Sequence, residues 1–341
     1  MTKLLSNPST TLLLLFAITL GSLLGGVYPN QAAPLSSAVD PFILILVSLI
    51  FFEISFGKII DARQHLRFLS IAWVANFIII PLIGWGIAAL FLSGQPLLFA
   101  GLLIYFIAPC TDWFLGFTRL ARGNVALGSV LLPINLISQL LLFPVFLGLF
   151  AGKDTGIEIL SIGSSMWHWF LVPLTGAVAL HQVLKRLLST HLFTKILRLV
   201  NTLIPMVIAA LVTCIFSGNI TIILENVSAF LLILIAVFVF FLTTYFLGVY
   251  TTRHFKLGYP EHALFTMTTA ARNAPLMLGL TTAAFPNEPL IYAALIIGML
   301  VEFPHLTLLK HMLLKQCPEI IEKNLPTTET EITKPAISQP I

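Results

Sequence analysis

Charged side chains are scarce in this sequence: Asp, Glu, Lys and Arg make up 9% of 341 residues. A soluble globular domain carries about 25%, so this chain lacks the polar surface that water requires. Cysteine is rarer still. Cys110, Cys214 and Cys317 show no CxxC spacing, which excludes a disulfide framework and a structural zinc site. No G-x-x-x-x-G-K-[ST] phosphate loop occurs, and no stretch between apolar runs exceeds about twenty residues, so an attached ATP-hydrolysing module is excluded. Period-two alternation is missing too: "LLLILIAVFVFFL" reads as helix and not as a lipid-facing barrel strand.

What is abundant is apolar surface. Hydrophobic residues make up 58% of the chain and mean hydropathy is +0.99. Runs of about 20 apolar residues, each long enough to cross roughly 30 Å of hydrocarbon, predict ten spans at 11–28, 41–60, 68–93, 97–119, 124–150, 163–188, 200–217, 227–251, 262–284 and 289–314. With both termini cytoplasmic, 16 of the 18 Lys and Arg fall on the inner side, one (Lys153) falls outside, and Arg272 lies within a span. Basic residues flanking spans are retained on the cytoplasmic side, so the split supports the count and the orientation. A cleaved leader is the alternative for the first run, opposed by its single basic residue, Lys3. The net charge of +4 reports this topology and gives no reason to expect nucleic acid.

The expected organisation is a cytoplasmic segment 1–10, a five-helix unit 11–150, a second five-helix unit 151–314, and a polar, proline-punctuated cytoplasmic tail 315–341. Because five is odd, the second unit enters the membrane inverted, as in inverted-repeat transporters. The fourth span of each unit is interrupted in a similar way. Span four carries Ala108-Pro109-Cys110-Thr111-Asp112-Trp113, and span nine carries Arg272 and Asn273 ahead of Pro275. Proline removes an N–H and clashes with the preceding turn. Unwound backbone at membrane depth survives only inside protein or beside a wet cavity. Paired interruptions are the strongest sequence pointer to a transporter's binding site.

Asp112 and Arg272 sharpen that reading. An unpaired charge at mid-bilayer costs about 2.5–3.5 kcal/mol on insertion scales, and these two have opposite sign in the spans that the repeat would bring together. The expectation is that they pair, or share a crevice, where the two broken helices cross. A purely structural ion pair is the alternative.

The run "APCTDWFLGFTRLARGNVALG" resembles the junction of spans four and five in the bile acid:sodium symporter superfamily, and most closely its arsenite efflux permease branch. Arsenite permeases carry their functional cysteine where Cys110 stands. The resemblance implies an all-α fold of ten helices in two inverted five-helix repeats, discontinuous helices 4 and 9 crossing, and core and panel domains. It also implies secondary transport without enzymatic chemistry, cofactor or bound metal. Sodium-coupled members hold the cation at positions that correspond here to Phe114, Leu115, Gly128, Leu132 and Thr268, and a glutamine of their second site is Arg272 in this chain. None of these offers a carboxylate, and a guanidinium donates hydrogens only, so sodium binding does not carry over. The acid that arsenite permeases place in span nine aligns with Pro275.

The sequence therefore predicts an inner-membrane arsenite or antimonite efflux carrier coupled to the proton or charge gradient. Cys110, Asp112, Arg272 and Asn273 are its expected substrate contacts. Thr111, Thr268, Asn135 and Glu302 are expected along the pathway, with Glu302, which precedes "FPH", at the cytoplasmic mouth. A lone buried cysteine is more commonly a small apolar residue, and the amides Asn76, Asn135 and Gln139 also fit plain interhelical hydrogen bonding. Uptake of an organic anion docking on Arg272 is the alternative cargo. An intramembrane enzyme using Cys110 and Asp112 is disfavoured because no histidine is spaced to assist the thiol.

Overall fold

The computed structural model describes residues 9–29, 35, 37–53, 65–111, 113–151, 172–285 and 288–317. Residues 1–8, Asp112 and the polar tail from 318 onward lie outside the described residues. Within these bounds the named elements are all helical: α1 (Ser9–Val27), α2 (Val39–Glu53), α3 (Leu66–Leu92), α4 (Pro96–Ile107), α5 (Phe114–Leu120), α6 (Val125–Phe146), α7 (Val172–Leu187), α8 (Thr190–Glu225), α9 (Val227–Phe255), α10 (Tyr259–Ala270), α11 (Ala274–Ala284) and α12 (Pro289–Leu314). Five of these, α3, α6, α8, α9 and α12, are long and apolar enough to cross a membrane. Large apolar side chains such as Leu90, Leu141, Phe238 and Tyr250 face outward. An exterior that exposes these over its length suits lipid and not water, and the chain is an integral membrane protein.

Proline sets several helix starts. Pro96, Pro260, Pro275 and Pro289 each occupy the first or second helical position, where the missing N–H has no intrahelical partner to lose. Within α3, Pro81 has no N–H for the carbonyl one turn back. The helix absorbs this as a π-turn over Ala75–Ile79, a form that widens the ladder by one residue and carries Asn76.

One boundary differs from the sequence expectation. Lys195 and Arg198, expected in an inner loop, lie in the early turns of α8. That helix begins at Ser189, whose Oγ accepts the Leu192 N–H at 3.4 Å. The helix is kinked at Asn219 (φ −132°, ψ 15°), and at 1.5 Å per residue the stretch before the kink alone spans about 44 Å, longer than the ~30 Å hydrocarbon core, so charged turns fit beyond the apolar layer.

The packing that matters for the site is α12 against α4. Gly298 of α12 lies flat on the Tyr105 ring: a Cβ there would come within 2.9 Å of two ring carbons. This close approach brings the next turn of α12, with Glu302, against the end of α4.

Candidate functional site

Helix α4 ends at Ala108 (φ −105°, ψ 104°) and α10 ends at Ala271 (φ −72°, ψ 136°), both turning into extended backbone. The two extended segments pair with each other. Cys110 N donates to Ala271 O at 3.0 Å, and Asn273 N donates to Ala108 O at 2.9 Å, making an isolated antiparallel bridge between Pro109 and Arg272. In this register the residues on either side make the bonds, so the bridge asks for no N–H at position 109. Proline fits there at no loss. The same register leaves the Arg272 N–H unused, and it points instead to Glu302 Oε1 at 2.9 Å.

Arg272 is fully buried. Its Nη1 donates to Phe106 O at 2.9 Å, and its Nη2 donates to Thr268 O at 3.0 Å and Thr269 O at 2.7 Å. These carbonyls belong to the last turns of α4 and α10, which have no further helix to bond them. One guanidinium thus caps two half-helices and sets its charge against the negative ends of both dipoles. Its Cζ lies 5.5 Å from the centroid of Phe240, which stacks on Phe106 at 4.3 Å. The Nε has no hydrogen-bond partner among the described residues.

Glu302 is fully buried at the same crossing and not at a cytoplasmic mouth, because Gly298 draws α12 onto α4. Oε1 accepts from Arg272 N at 2.9 Å and from Trp113 Nε1 at 2.8 Å, and Oε2 accepts from the Tyr105 hydroxyl at 3.2 Å. Trp113 belongs to the first break, Arg272 to the second and Tyr105 to α4. A single carboxylate therefore ties α12 to both interruptions.

Asp112 lies outside the described residues, so its expected pairing with Arg272 has no geometry here. The other expected contacts have described positions. Asn273 Nδ2 donates to Thr111 Oγ1 at 2.8 Å, a side-chain bond across the crossing beside the backbone bridge. Cys110 is a buried thiol whose backbone N–H is one of the bridge donors. Pro275 opens α11 just beyond the second break.

Thr268 and Asn135 belong to a buried amide cluster. Asn76 Nδ2 of α3 and Asn135 Nδ2 of α6 both donate to Thr268 Oγ1 at 3.2 Å. Asn76 Oδ1, Asn135 Oδ1 and both polar ends of Gln139, one turn along α6 from Asn135, have no hydrogen-bond partner among the described residues. Turning either asparagine amide would exchange which arm is spare without filling it. Buried, unpartnered amide arms are what a water molecule or a small hydroxylated guest satisfies.

Of the side chains at the five positions that the resemblance assigns to sodium, Thr268 alone carries an oxygen. Phe114 is fully buried with no side-chain oxygen, and Thr268 Oγ1 already receives two amide hydrogens. At Gly128 a Cβ would fall 2.6 Å from Leu115 Cδ2 and 2.9 Å from Leu264 Cδ1, so two leucines close the space where a hydroxyl ligand would stand. At the position of the second-site glutamine, the guanidinium of Arg272 occupies the Phe106, Thr268 and Thr269 carbonyl oxygens.

Tyr105 and Trp113 were not among the expected site residues. Each has a polar tip that needs a partner when buried, and Trp113 directly follows the interrupted run, so the signal was present. The comparisons bear on the fold's ancestry. A model of the Sodium Bile acid symporter family matches residues 41–226, through the first break and on to the end of α8, while the second break and Glu302 lie beyond the match. No curated protein matches the chain. The matched segment covers more than half of the sequence, and the chain belongs to the sodium bile acid symporter family.

Proposed function

We propose that this protein is a sodium-independent secondary transporter that exports trivalent arsenic, as neutral arsenous acid, driven by the proton or charge gradient. The proposal includes the inner-membrane location, cytoplasmic termini and ten spans in two inverted repeats expected from the sequence. The observation that carries it is the guanidinium of Arg272 bonded to Phe106, Thr268 and Thr269 carbonyls of two half-helices. A tethered cation holds together there what a mobile ion would otherwise bridge, and it needs no sodium to do so.

Arsenous acid is a neutral trihydroxyl molecule with a thiophilic centre. Cys110 supplies a thiol at the crossing; its sulfur replaces one arsenic-bound hydroxyl, which leaves with the thiol proton as water, and water reverses the step to release arsenous acid. The amide arms of Asn76, Asn135 and Gln139 that have no partner among the described residues add donors and acceptors for hydroxyl groups. Asp112 and Arg272 remain the charges that a substrate would sense.

The second reading, uptake of an organic anion, is favoured by one feature, the Nε of Arg272, which has no hydrogen-bond partner among the described residues. It is opposed by the other guanidinium nitrogens, which already bond carbonyls. Arsenite uptake into inside-out proteoliposomes separates the two. The first reading expects accumulation under an imposed pH or voltage gradient, unchanged when sodium is replaced by choline and lost in Cys110→Ser. No arsenite accumulation, together with sodium-independent uptake of a labelled carboxylate or sulfonate, would favour the second.

A further inference from the structure

Glu302 has no assigned part in the reading above, yet it is the acid that the fold places at the centre of the crossing. Its two oxygens receive three hydrogens, from Trp113, the Arg272 backbone and Tyr105. The titratable or charged groups facing it among the described residues are Tyr105 of α4 and Arg272 of the second break. The Cys110 thiol of the first break lies close enough to act electrostatically on both of these. On the side of α9, the crossing is walled by Phe240, which lies under the guanidinium, and on the next turn of α12 the His305 ring stacks on Phe241 with Nδ1 at the Val301 carbonyl.

We propose that Glu302 is the proton-binding group of this transporter, and that its protonation state sets how firmly α12 holds the two broken helices. The proposal rests on the reading of the protein as a gradient-driven carrier and names the acid through which a proton would act.

An ionised carboxylate only accepts hydrogen bonds, whereas a protonated one carries a hydrogen it must donate. With three hydrogens already directed at Glu302, a fourth forces a change. Either the Trp113 or the Arg272 N–H is released from Oε1, or the Tyr105 hydroxyl turns to accept at Oε2. Trp113 belongs to the first break and Arg272 to the second, so a proton on Oε1 loosens the grip of α12 on one break or the other, while a proton on Oε2 is met by the Tyr105 hydroxyl.

The charge changes as well. Ionised Glu302 offsets Arg272, and protonation removes that offset from the buried guanidinium, which favours opening toward water. The proton is taken from water on one side, held on a carboxylate oxygen while the site is closed, and returned to water on the other. No bond other than O–H forms or breaks. Complete burial of Glu302 in this conformation is the closed step of such a cycle.

The test needs no known substrate for its first part. Purified full-length protein is titrated by tryptophan fluorescence, because the Trp113 indole reports directly on Glu302. The expected result is a reversible step that is absent in Glu302→Gln and Trp113→Phe and retained in Asp112→Asn. Glu302→Asp keeps a carboxylate at a different reach, so its midpoint moves, and it decides the matter should Glu302→Gln not fold. A step that persists in Glu302→Gln, an unmoved midpoint in Glu302→Asp, a step lost in Asp112→Asn, or no step in the wild type overturns the proposal.

The second part uses arsenite in proteoliposomes. Glu302→Gln is expected to lose accumulation driven by a pH gradient, down to the level seen without the gradient, while retaining arsenite counterflow. Full pH-driven accumulation in Glu302→Gln overturns the proposal. If the wild type moves no arsenite at all, the substrate reading fails, and the fluorescence titration still decides the role of Glu302.

Discussion

Arg272 donates its backbone N–H to Glu302 at 2.9 Å, and it is free to do so because the flanking residues make the hydrogen bonds of its bridge with Pro109. The bridge register leaves that N–H outside the pairing, and α12 supplies the acceptor. Backbone pairing, a fixed cation and a buried acid thus converge at one residue, with consequences that can be measured.

Replacing Arg272 with Met strips the hydrogen-bond donors from Phe106, Thr268 and Thr269 carbonyls and leaves Glu302 without its counter-charge. Removing one partner of a buried charged network costs about 3–5 kcal/mol, which is expected as a large fall in unfolding temperature in detergent. Arg272→Lys is expected to recover little of it, because a single ammonium lacks the planar fork that reaches both half-helices.

Gln139→Leu tests the amide cluster. Both polar ends of this side chain lack a partner among the described residues, and a buried amide without partners costs stability that an apolar side chain of similar size does not. Thermal unfolding of the variant is expected at or above the wild-type temperature, while arsenite transport falls several-fold if the cluster receives the guest. A large loss of stability would show that the side chain is well satisfied as it stands.

Cys110→Ser keeps the size of the side chain and removes its affinity for arsenic. The expected outcome is normal insertion and a stability loss of at most about 1–3 kcal/mol, the cost of placing a hydroxyl in a buried site, together with loss of arsenite resistance in expressing cells. Unchanged resistance would return the thiol to a packing role.

Gly128→Ser would restore a hydroxyl at a position where sodium-coupled relatives have a ligand, but the new Cβ meets Leu115 at 2.6 Å and Leu264 at 2.9 Å. Overpacking of this kind costs about 1–3 kcal/mol. A fall in unfolding temperature is expected, relieved in part by adding Leu115→Ala, with no gain of sodium response in either variant.

Much of the site was legible in the sequence because membrane interiors punish polar groups. Pro109, Arg272, Asn273 and Pro275 stand out against an apolar background, and the hydrogen bonds between the two breaks follow from their need for partners. The contacts of Arg272 were less legible. Its bonds go to main-chain carbonyls, which no side-chain pattern announces. Glu302 was misplaced toward the cytoplasmic mouth because its neighbours Phe303, Pro304 and His305 resemble a helix end, whereas α12 continues through Pro304 to Leu314. What brings Glu302 inward is the absence of a side chain at Gly298, and its meaning depends on which ring lies opposite. Lys195 and Arg198 look like loop residues for a related reason: charge in the opening turns of a long helix resembles charge in a connection.

The central claim is that the guanidinium of Arg272 stands in for a mobile cation at the crossing of the two broken helices. Thermal unfolding of purified protein in sodium against choline chloride, at equal ionic strength, tests it most directly. The account predicts identical unfolding temperatures for the wild type in the two salts. A saturable rise in the wild-type unfolding temperature with millimolar sodium would contradict it.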